Sequence, residues 1–596
     1  MQLQLKQNRN LRSRIRLSAQ RGILVTLSGA VLAFAACRRH ADGDVAPGWT
    51  PKPGESVRGV PVADVIAAIQ STVDSPSDTL IADRSGHVKR LYAAYGNVPL
   101  WLEPDGFHTS RSDALLRAVL DANTDALRLD SYPLEELVTA IQAVRETKKP
   151  TAEQLATADL LLTSTYVELA EDLLSGQLNP KKLAQDWHIA TNHEPLDSAL
   201  ARSLRDTRLD SAILRMRPQE PDYEALRKAL MRFREIVAQG GWPTVPKGKA
   251  LKPGEADTPD RIDALSERLR IEGIGDAARR VVASAEDNRT RTSGPSTKQA
   301  ASPSLAVYDS ELAGLVAEYQ ARHGIVVDSV LGEETVNSLN LPAQYRLAQI
   351  AANLERYRWL PRSLGGRYIV VNVPALRLRA QDSSGALEMK VIVGAEYEGR
   401  ETPVFADSME TVVFRPYWFI TPDIQAKETE PAIAADPGYM AANNLEYYEE
   451  GGQTRIRQKP GPNNSLGLVK FLFPNAFNIY LHDTPHDELF EKDVRGFSHG
   501  CIRLEKPDEL AQWILGWDAP RVRAAMDGED DRSVKLPKKI PVYIVYATAF
   551  ERDGELHFGN DLYSRDDVLT QAVSVGVAPT ADAVRRLQAL RRLVDS

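Results

Sequence analysis

Cys501 is one of only two cysteines in 596 residues, and it sits in the run SHGCIRL, Ser498 to Leu504. A thiol attacks as its thiolate, and an unassisted cysteine is only a few per cent ionised at neutral pH. A nearby imidazole can take the proton. Two histidines are candidates: His482, which ends the strand-like run FNIYLH, and His499, two residues before the cysteine. Spacing alone leaves open whether His499 shares a face with Cys501, because side chains alternate along a strand. Gly500 lets the backbone turn sharply, so that the amides of Gly500 and Cys501 can face one point, as oxyanion-hole donors do.

Two other roles compete. Zinc takes His and Cys ligands, and His482, His486, His499 and Cys501 lie close in sequence. Pro485 disfavours a helix reaching His486, and no glutamate separates His482 from His486, so the helical histidine pair of a zinc protease is missing. The third role is that of a small buried apolar residue. The residue content favours the nucleophile, a chemistry that needs no metal and no cofactor. A thiolate held by an imidazolium is compatible with it.

The elements that must position these residues follow from the rest of the chain. Its length calls for several domains. Hydrophobic residues at 43%, charged residues at 26% and a net charge of −8 are ordinary for soluble globular protein. No basic stripe with interleaved aromatics occurs, so no nucleic-acid partner is expected. Residues 1–40 hold a basic start, the apolar run GILVTLSGAVLAFAAC and then Arg38 and Arg39. That pattern reads as a secretory signal, too short for a membrane span. Its ending AFAAC also resembles a lipobox, which would make Cys37 a lipid anchor. Export leaves Cys501 as a lone thiol where cysteines are normally paired or avoided.

Residues 41–58 are polar and rich in Pro and Gly, a linker. The helical spacing of 158–176 and 223–241, each stopped at glycine, predicts a helical scaffold domain over 60–250. Trp101, Trp187, His188 and His193 read there as packing residues. Residues 284–304 are poor in apolar content and read as a disordered insertion. They interrupt a small helical domain over 255–345, and 346–366 reads as a helical connector stopped by Pro361. From 367 to 550 the period changes to alternation, which predicts a β-rich domain. A polar helical stretch at 421–452 interrupts it as a candidate lid. Residues 551–596 read as a C-terminal tail.

The segment with His482, a spacer and then Ser498, His499, Gly500, Cys501 and Ile502 resembles the signature of the L,D-transpeptidases. The stretch PGPNNSLGLVKFLFPNAFNIYLHDTP, RPYW at 415–418 and NLERYRWLP resemble the large multi-domain members from Gram-negative cell walls. EYQARHGI and the turn at Gly332 resemble a three-helix peptidoglycan-binding domain, with Asp328-Ser329 where that family has Asp-Gly. The resemblance implies a multi-domain α+β chain: helical scaffold, peptidoglycan-binding module, and a β-rich catalytic domain with a helical capping insertion. It implies a periplasmic enzyme in which Cys501 attacks the diaminopimelate carbonyl of a tetrapeptide stem, D-Ala leaves, and a second diaminopimelate amine accepts the acyl group in a 3→3 cross-link. Peptidoglycan stems and the sacculus are the implied partners, and carbapenems the implied acylating inhibitors. His482 becomes the base, His499 a supporting residue, and Gly500 and Cys501 the oxyanion amides. Ser498, Tyr480, Trp418 and Arg495 are candidate substrate contacts. Arg503 stands where many members have Asn, so that residue's role does not transfer; a substrate carboxylate is one ligand it could hold. The same motif would serve an L,D-carboxypeptidase or an enzyme attaching lipoproteins to the wall, and a wall-binding scaffold with a vestigial site is the non-enzymatic rival.

Overall fold

The computed structural model describes residues 54–74, 79–107, 109–184, 186–190, 209–275, 305–396, 400–529, 531–577 and 581–595. The expected signal with Cys37, most of the linker, His193 and the insertion 284–304 lie outside the described residues. No helix among the described residues is long and apolar enough to cross a membrane.

Helices come first. Helix α1 (Val62–Asp74) buries Val62, Val65, Ile69 and Val73, the stripe that a 3.6-residue period puts on one face. With α2 (Thr79–Ala94), α3 (Thr109–Asp121) and α4 (Leu134–Glu146) it surrounds α5 (Ala152–Ser175), which is buried nearly all round. A capping box between Thr151 and Gln154 starts α5, and Gly176 at φ 84° ends it. Asp159 of α5 accepts the Leu100 and Trp101 amides at 3.0 and 2.9 Å, and burial pushes its carboxyl up to about 6. Trp101 and Trp187 are buried packing residues; Trp187 stacks edge-on against Trp359 at 5.1 Å.

Helix α6 (Pro221–Ala238) packs on α10 (Ala343–Arg358), the expected connector. Between them in sequence, α7 (Pro259–Glu272), α8 (Ser310–Arg322) and α9 (Glu333–Leu339) close on a separate core of Leu265, Leu269, Tyr308, Val316, Tyr319, Leu331 and Leu339. Gln320 of α8 ties down the turn at 328–330: its carbonyl accepts both the Asp328 and Ser329 amides. Ser329 sits there at φ 57°, a left-handed conformation that costs a residue with a Cβ about 1 kcal/mol. Ser329→Gly is expected to raise the unfolding free energy of this module by roughly 0.5–1 kcal/mol, read as a higher denaturant midpoint at unchanged slope.

The β-rich region is a nine-stranded sheet. Its strands are β1 (Tyr368–Asn372), β2 (Arg377–Asp382), β3 (Gly385–Gly394), β4 (Phe405–Phe414), β8 (Val469–Leu472), β9 (Leu481–His482), β10 (Gly496–Ser498), β11 (Ile502–Leu504) and β12 (Arg532–Val545). Their order is β10-β3-β11-β9-β8-β4-β12-β1-β2, and β2 also pairs with β3, so eight strands close into a barrel. Alternation fills it: β1 buries Ile369 and Val371 and turns Tyr368, Val370 and Asn372 outward. Helices α11 (Pro507–Leu515) and α12 (Ala519–Met526) add Leu510, Ala511, Val522 and Met526 to the same core.

Three expectations change. The strand expected over FNIYLH is only β9; the residues before it form a loop. The insertion after Ile420 is helical at 422–424, 425–435 and 439–442, but it ends in a hairpin. Strands β6 (Leu445–Glu450) and β7 (Gln453–Gln458) pair there with β5 (Trp418–Phe419) in a small second sheet. The expected tail is also built into the fold. Hairpin β13 (Ala549–Arg552) and β14 (Glu555–Phe558) packs on α6, and α13 (Asp566–Val577) packs on α10, where Arg356 pairs with buried Asp566 at 2.5 Å. Helix α14 (Ala581–Asp595) returns to α3 and α4.

Candidate active site

Strands β9 and β11 run parallel, with Leu481 beside Ile502 and His482 beside Arg503. Leu481 and Ile502 are fully buried and point into the barrel. Alternation therefore puts Tyr480, His482, Cys501 and Arg503 together on the outer face. This register brings a histidine and a cysteine from two separate strands onto one surface.

His482 is buried, and its Nδ1 lies 2.6 Å from the backbone carbonyl of Asp483. A carbonyl only accepts, so Nδ1 carries the proton and Nε2 is left with a lone pair. Burial, aided by the charge of Arg503, pushes the imidazole down to about 3, so it is neutral at physiological pH. The chain secures that carbonyl. The Asp483 carboxylate accepts the amides of Leu468 and Thr484, both at 2.7 Å. Gly467 makes room for it: a Cβ there would come within 2.3 Å of the Asp483 side chain.

Cys501 is half-buried and free. Its Sγ lies 3.8 Å from the Asn478 carbonyl. Asn478 adopts φ 55°, and the loop that presents it is built on Asn475, whose side chain bonds the backbone of Phe473, Phe477 and Ile479. Burial pushes the thiol up, and the Tyr480 amide and hydroxyl, Arg503 and Lys470 act against that. The resting pair is neutral thiol and neutral imidazole, not the imidazolium–thiolate pair that the sequence is compatible with. Burial of His482 is the main reason, and the charges of Arg503 and Lys470 beside it add to the penalty on a third positive charge.

The Gly500 turn is held from within and from outside. Its φ of 108° suits glycine. The Ser498 hydroxyl donates to the Cys501 carbonyl at 2.5 Å and accepts the Gly500 amide at 3.1 Å. Thr402 donates to the Gly500 carbonyl at 2.9 Å. Ser498 is thus a brace for the turn rather than a substrate contact. The Gly500 amide is already taken, which corrects its expected place in an oxyanion hole. Among the described hydrogen bonds the Cys501 amide has no protein acceptor, so it is the donor left for a developing oxyanion.

His499 points away from the thiol. It is partly exposed, and its Nε2 lies 2.8 Å from Glu428 of the insertion, which Arg400 also meets at 2.6 Å. Hydrogen bonds from His499 and then Arg400 hold the Glu428 carboxyl below its usual range. His499 therefore ties the insertion to the cysteine turn. Arg495 corrects another expectation. Its guanidinium donates to the carbonyls of Val391, Leu376, Lys492 and Asp493, so most of its donors brace β3 and its neighbours rather than meeting a substrate. Trp418 is half-buried at the root of the insertion, paired with Gln458. Among the described residues no three His, Cys, Asp or Glu side chains could hold a metal ion; His486 is turned to Glu488 at 3.3 Å.

Sequence reasoning missed Lys470, Asp483, Asn478, Thr402 and Glu428. Lys470 lies opposite His482 in the β8–β9 pairing, so a strand alignment would have found it. The other four act through backbone groups or from other elements, which leaves no local pattern.

This arrangement supports attack by sulfur on a carbonyl carbon, with His482 Nε2 as proton acceptor. A family model described as the L,D-transpeptidase catalytic domain matches residues 366–544, and one described as the Scaffold domain matches 86–230. A curated protein of Haemophilus influenzae that carries the name of an L,D-transpeptidase is 31% identical over 239 residues. The match covers 37% of this chain and 48% of the relative, so the chain spans about half the length of the curated relative it matches. Barrel, paired strands and family match agree that residues 366–544 form an L,D-transpeptidase catalytic domain.

Proposed function

We propose that this protein forms 3→3 cross-links between diaminopimelate residues of peptidoglycan through a Cys501 acyl-enzyme. The observation that supports this reading best is the shared face of Cys501 and His482, with His482 Nδ1 fixed on the Asp483 carbonyl. The thiol turns from Asn478 to His482 and gives up its proton as sulfur attacks the L-centre carbonyl of the donor stem. The Cys501 amide receives the oxyanion. His482 returns the proton to the departing D-Ala amine, leaving a thioester. The side-chain amine of a second diaminopimelate then attacks the thioester, His482 takes its proton, and the thiol is regenerated. We place this chemistry in the periplasm, with the sacculus as partner, and assign the small three-helix module to wall binding. Cys37, if lipidated, is the anchor.

The test is incubation of the enzyme with disaccharide-tetrapeptide, followed by mass spectrometry. A dimer lacking one D-Ala supports the reading. Tripeptide without dimer would show an L,D-carboxypeptidase and overturn the cross-linking claim. A carbapenem adduct on Cys501 would support the thiol as nucleophile independently.

A further inference from the structure

Two cations beside the thiol have no carboxylate in contact with them among the described residues; Asp531 acts on Lys470 from beyond 4 Å. Arg503 shares the outer face with Cys501, and its Nε is buried with no hydrogen-bond partner among the described residues. Neither its guanidinium nor the Lys470 ammonium has a carboxylate within 4 Å among the described residues. Lys470 has one hydrogen bond, to the Tyr417 carbonyl at 3.3 Å, and lies 5.8 Å from the centre of the Tyr480 ring. Both are half-buried. Buried charges are normally paired, because an unpaired one costs several kcal/mol. Lys470 lies beside His482 in the β8–β9 pairing and Arg503 lies beside it in the β9–β11 pairing, so the two cations flank His482 in one row across the strands.

The geometry points to a carboxylate seat formed by Lys470 and Arg503, which selects peptides whose free terminal carboxylate lies one residue beyond the scissile carbonyl. The inference rests on Cys501 being the nucleophile of the proposed function. In such a peptide the carboxylate is three bonds from the carbonyl carbon, through the amide nitrogen and Cα. A seat beside the sulfur can therefore hold it while the carbonyl lies over the thiol. Lys470 and Arg503 reach this point from strands on either side of β9, so the seat flanks the base. Paired cations suit a carboxylate better than one, because both oxygens can be met. A longer stem, with an amide where the carboxylate should be, leaves both cations unpaired and is disfavoured.

The test uses two thiol reagents of similar size. Iodoacetate carries a carboxylate and iodoacetamide is neutral; in each, sulfur displaces iodide from the CH2 carbon. Their alkylation rates at Cys501 are followed by intact mass on the full chain. The ratio of iodoacetate to iodoacetamide rate is expected to exceed that of a small free thiol by about tenfold, the discrimination of one charge-assisted hydrogen bond. Lys470→Met and Arg503→Met should each bring the ratio back toward that of the free thiol, while Lys470→Arg and the surface variant Lys492→Met keep it. A wild-type ratio equal to that of the free thiol would overturn the seat and leave Cys501 as nucleophile untouched. Equal loss with both reagents in Lys470→Met would also overturn it, since the lysine would then act only on thiol ionisation. Alkylation of Cys501 by neither reagent would overturn the nucleophile reading and the seat with it. A donor tetrapeptide with a terminal carboxamide extends the test: wild type should discriminate against it about tenfold, and Lys470→Met should not.

Discussion

Cys501→Ala is expected to abolish acyl-enzyme formation completely while leaving the fold intact. In the proposed reaction the Cys501 sulfur forms the covalent bond, and no second thiol lies among the described residues. The fold should tolerate the change. Cys501 is only half-buried, and the turn around it is held by Ser498 and Thr402 through backbone groups. Loss of the sulfur removes a small, partly exposed group, so stability should fall by less than about 1 kcal/mol. The measurement is intact mass after incubation with a carbapenem or donor stem, alongside denaturant unfolding. A persisting adduct would mean that another residue is the nucleophile.

The second large effect separates the two histidines. His482→Ala should slow acylation by about 10²–10⁴, the usual contribution of a positioned general base. His499→Ala should leave the acylation step much closer to wild type, because its imidazole meets Glu428 and not the sulfur. The pH profile gives a further check. Burial and Arg503 depress His482 to about 3, so its base form is present throughout the neutral range. Alkylation of Cys501 by a neutral reagent should therefore rise with pH between about 5 and 8 without an inflection from this histidine. The rise reflects the thiol, whose burial keeps it above the ordinary range. An inflection near the ordinary imidazole range that vanishes in His482→Ala would contradict the resting state described above. Reversed effects of the two substitutions would make His499 the base.

The insertion and the cysteine turn form one structural unit through a short ionic chain. Glu428 lies between His499 and Arg400, so a residue of the catalytic motif serves as an attachment point for the covering segment. The segment after 550 has a comparable role on the other side. The Tyr563 hydroxyl donates to the Gly394 carbonyl at 2.8 Å and receives the Thr402 amide at 3.2 Å, bracing the threonine that holds Gly500. Residues far apart in sequence thus meet at the turn that presents the sulfur.

The sequence by itself determined the elements and the reactive groups. Period-3.6 runs stopped by glycine gave α5 and α6, and alternation gave β1 to β4, because each depends on neighbours a few residues away. Cys501 was legible as a candidate nucleophile for the same reason: a thiol beside Gly500, with His482 at a strand end, is a local pattern. The tertiary structure alone decided the rest. It decided which histidine faces the sulfur, because a parallel register between β9 and β11 is a long-range fact. It turned Arg495 and Ser498 into braces, because their donors meet carbonyls that sequence cannot place. It closed the barrel through the pairing of β2 with β3, and it drew the expected tail back onto the helices. It also left Arg503 and Lys470 beside the thiol with no carboxylate in contact among the described residues. Whether a charge is paired depends on every chain segment that reaches it, and only the folded chain brings those segments together.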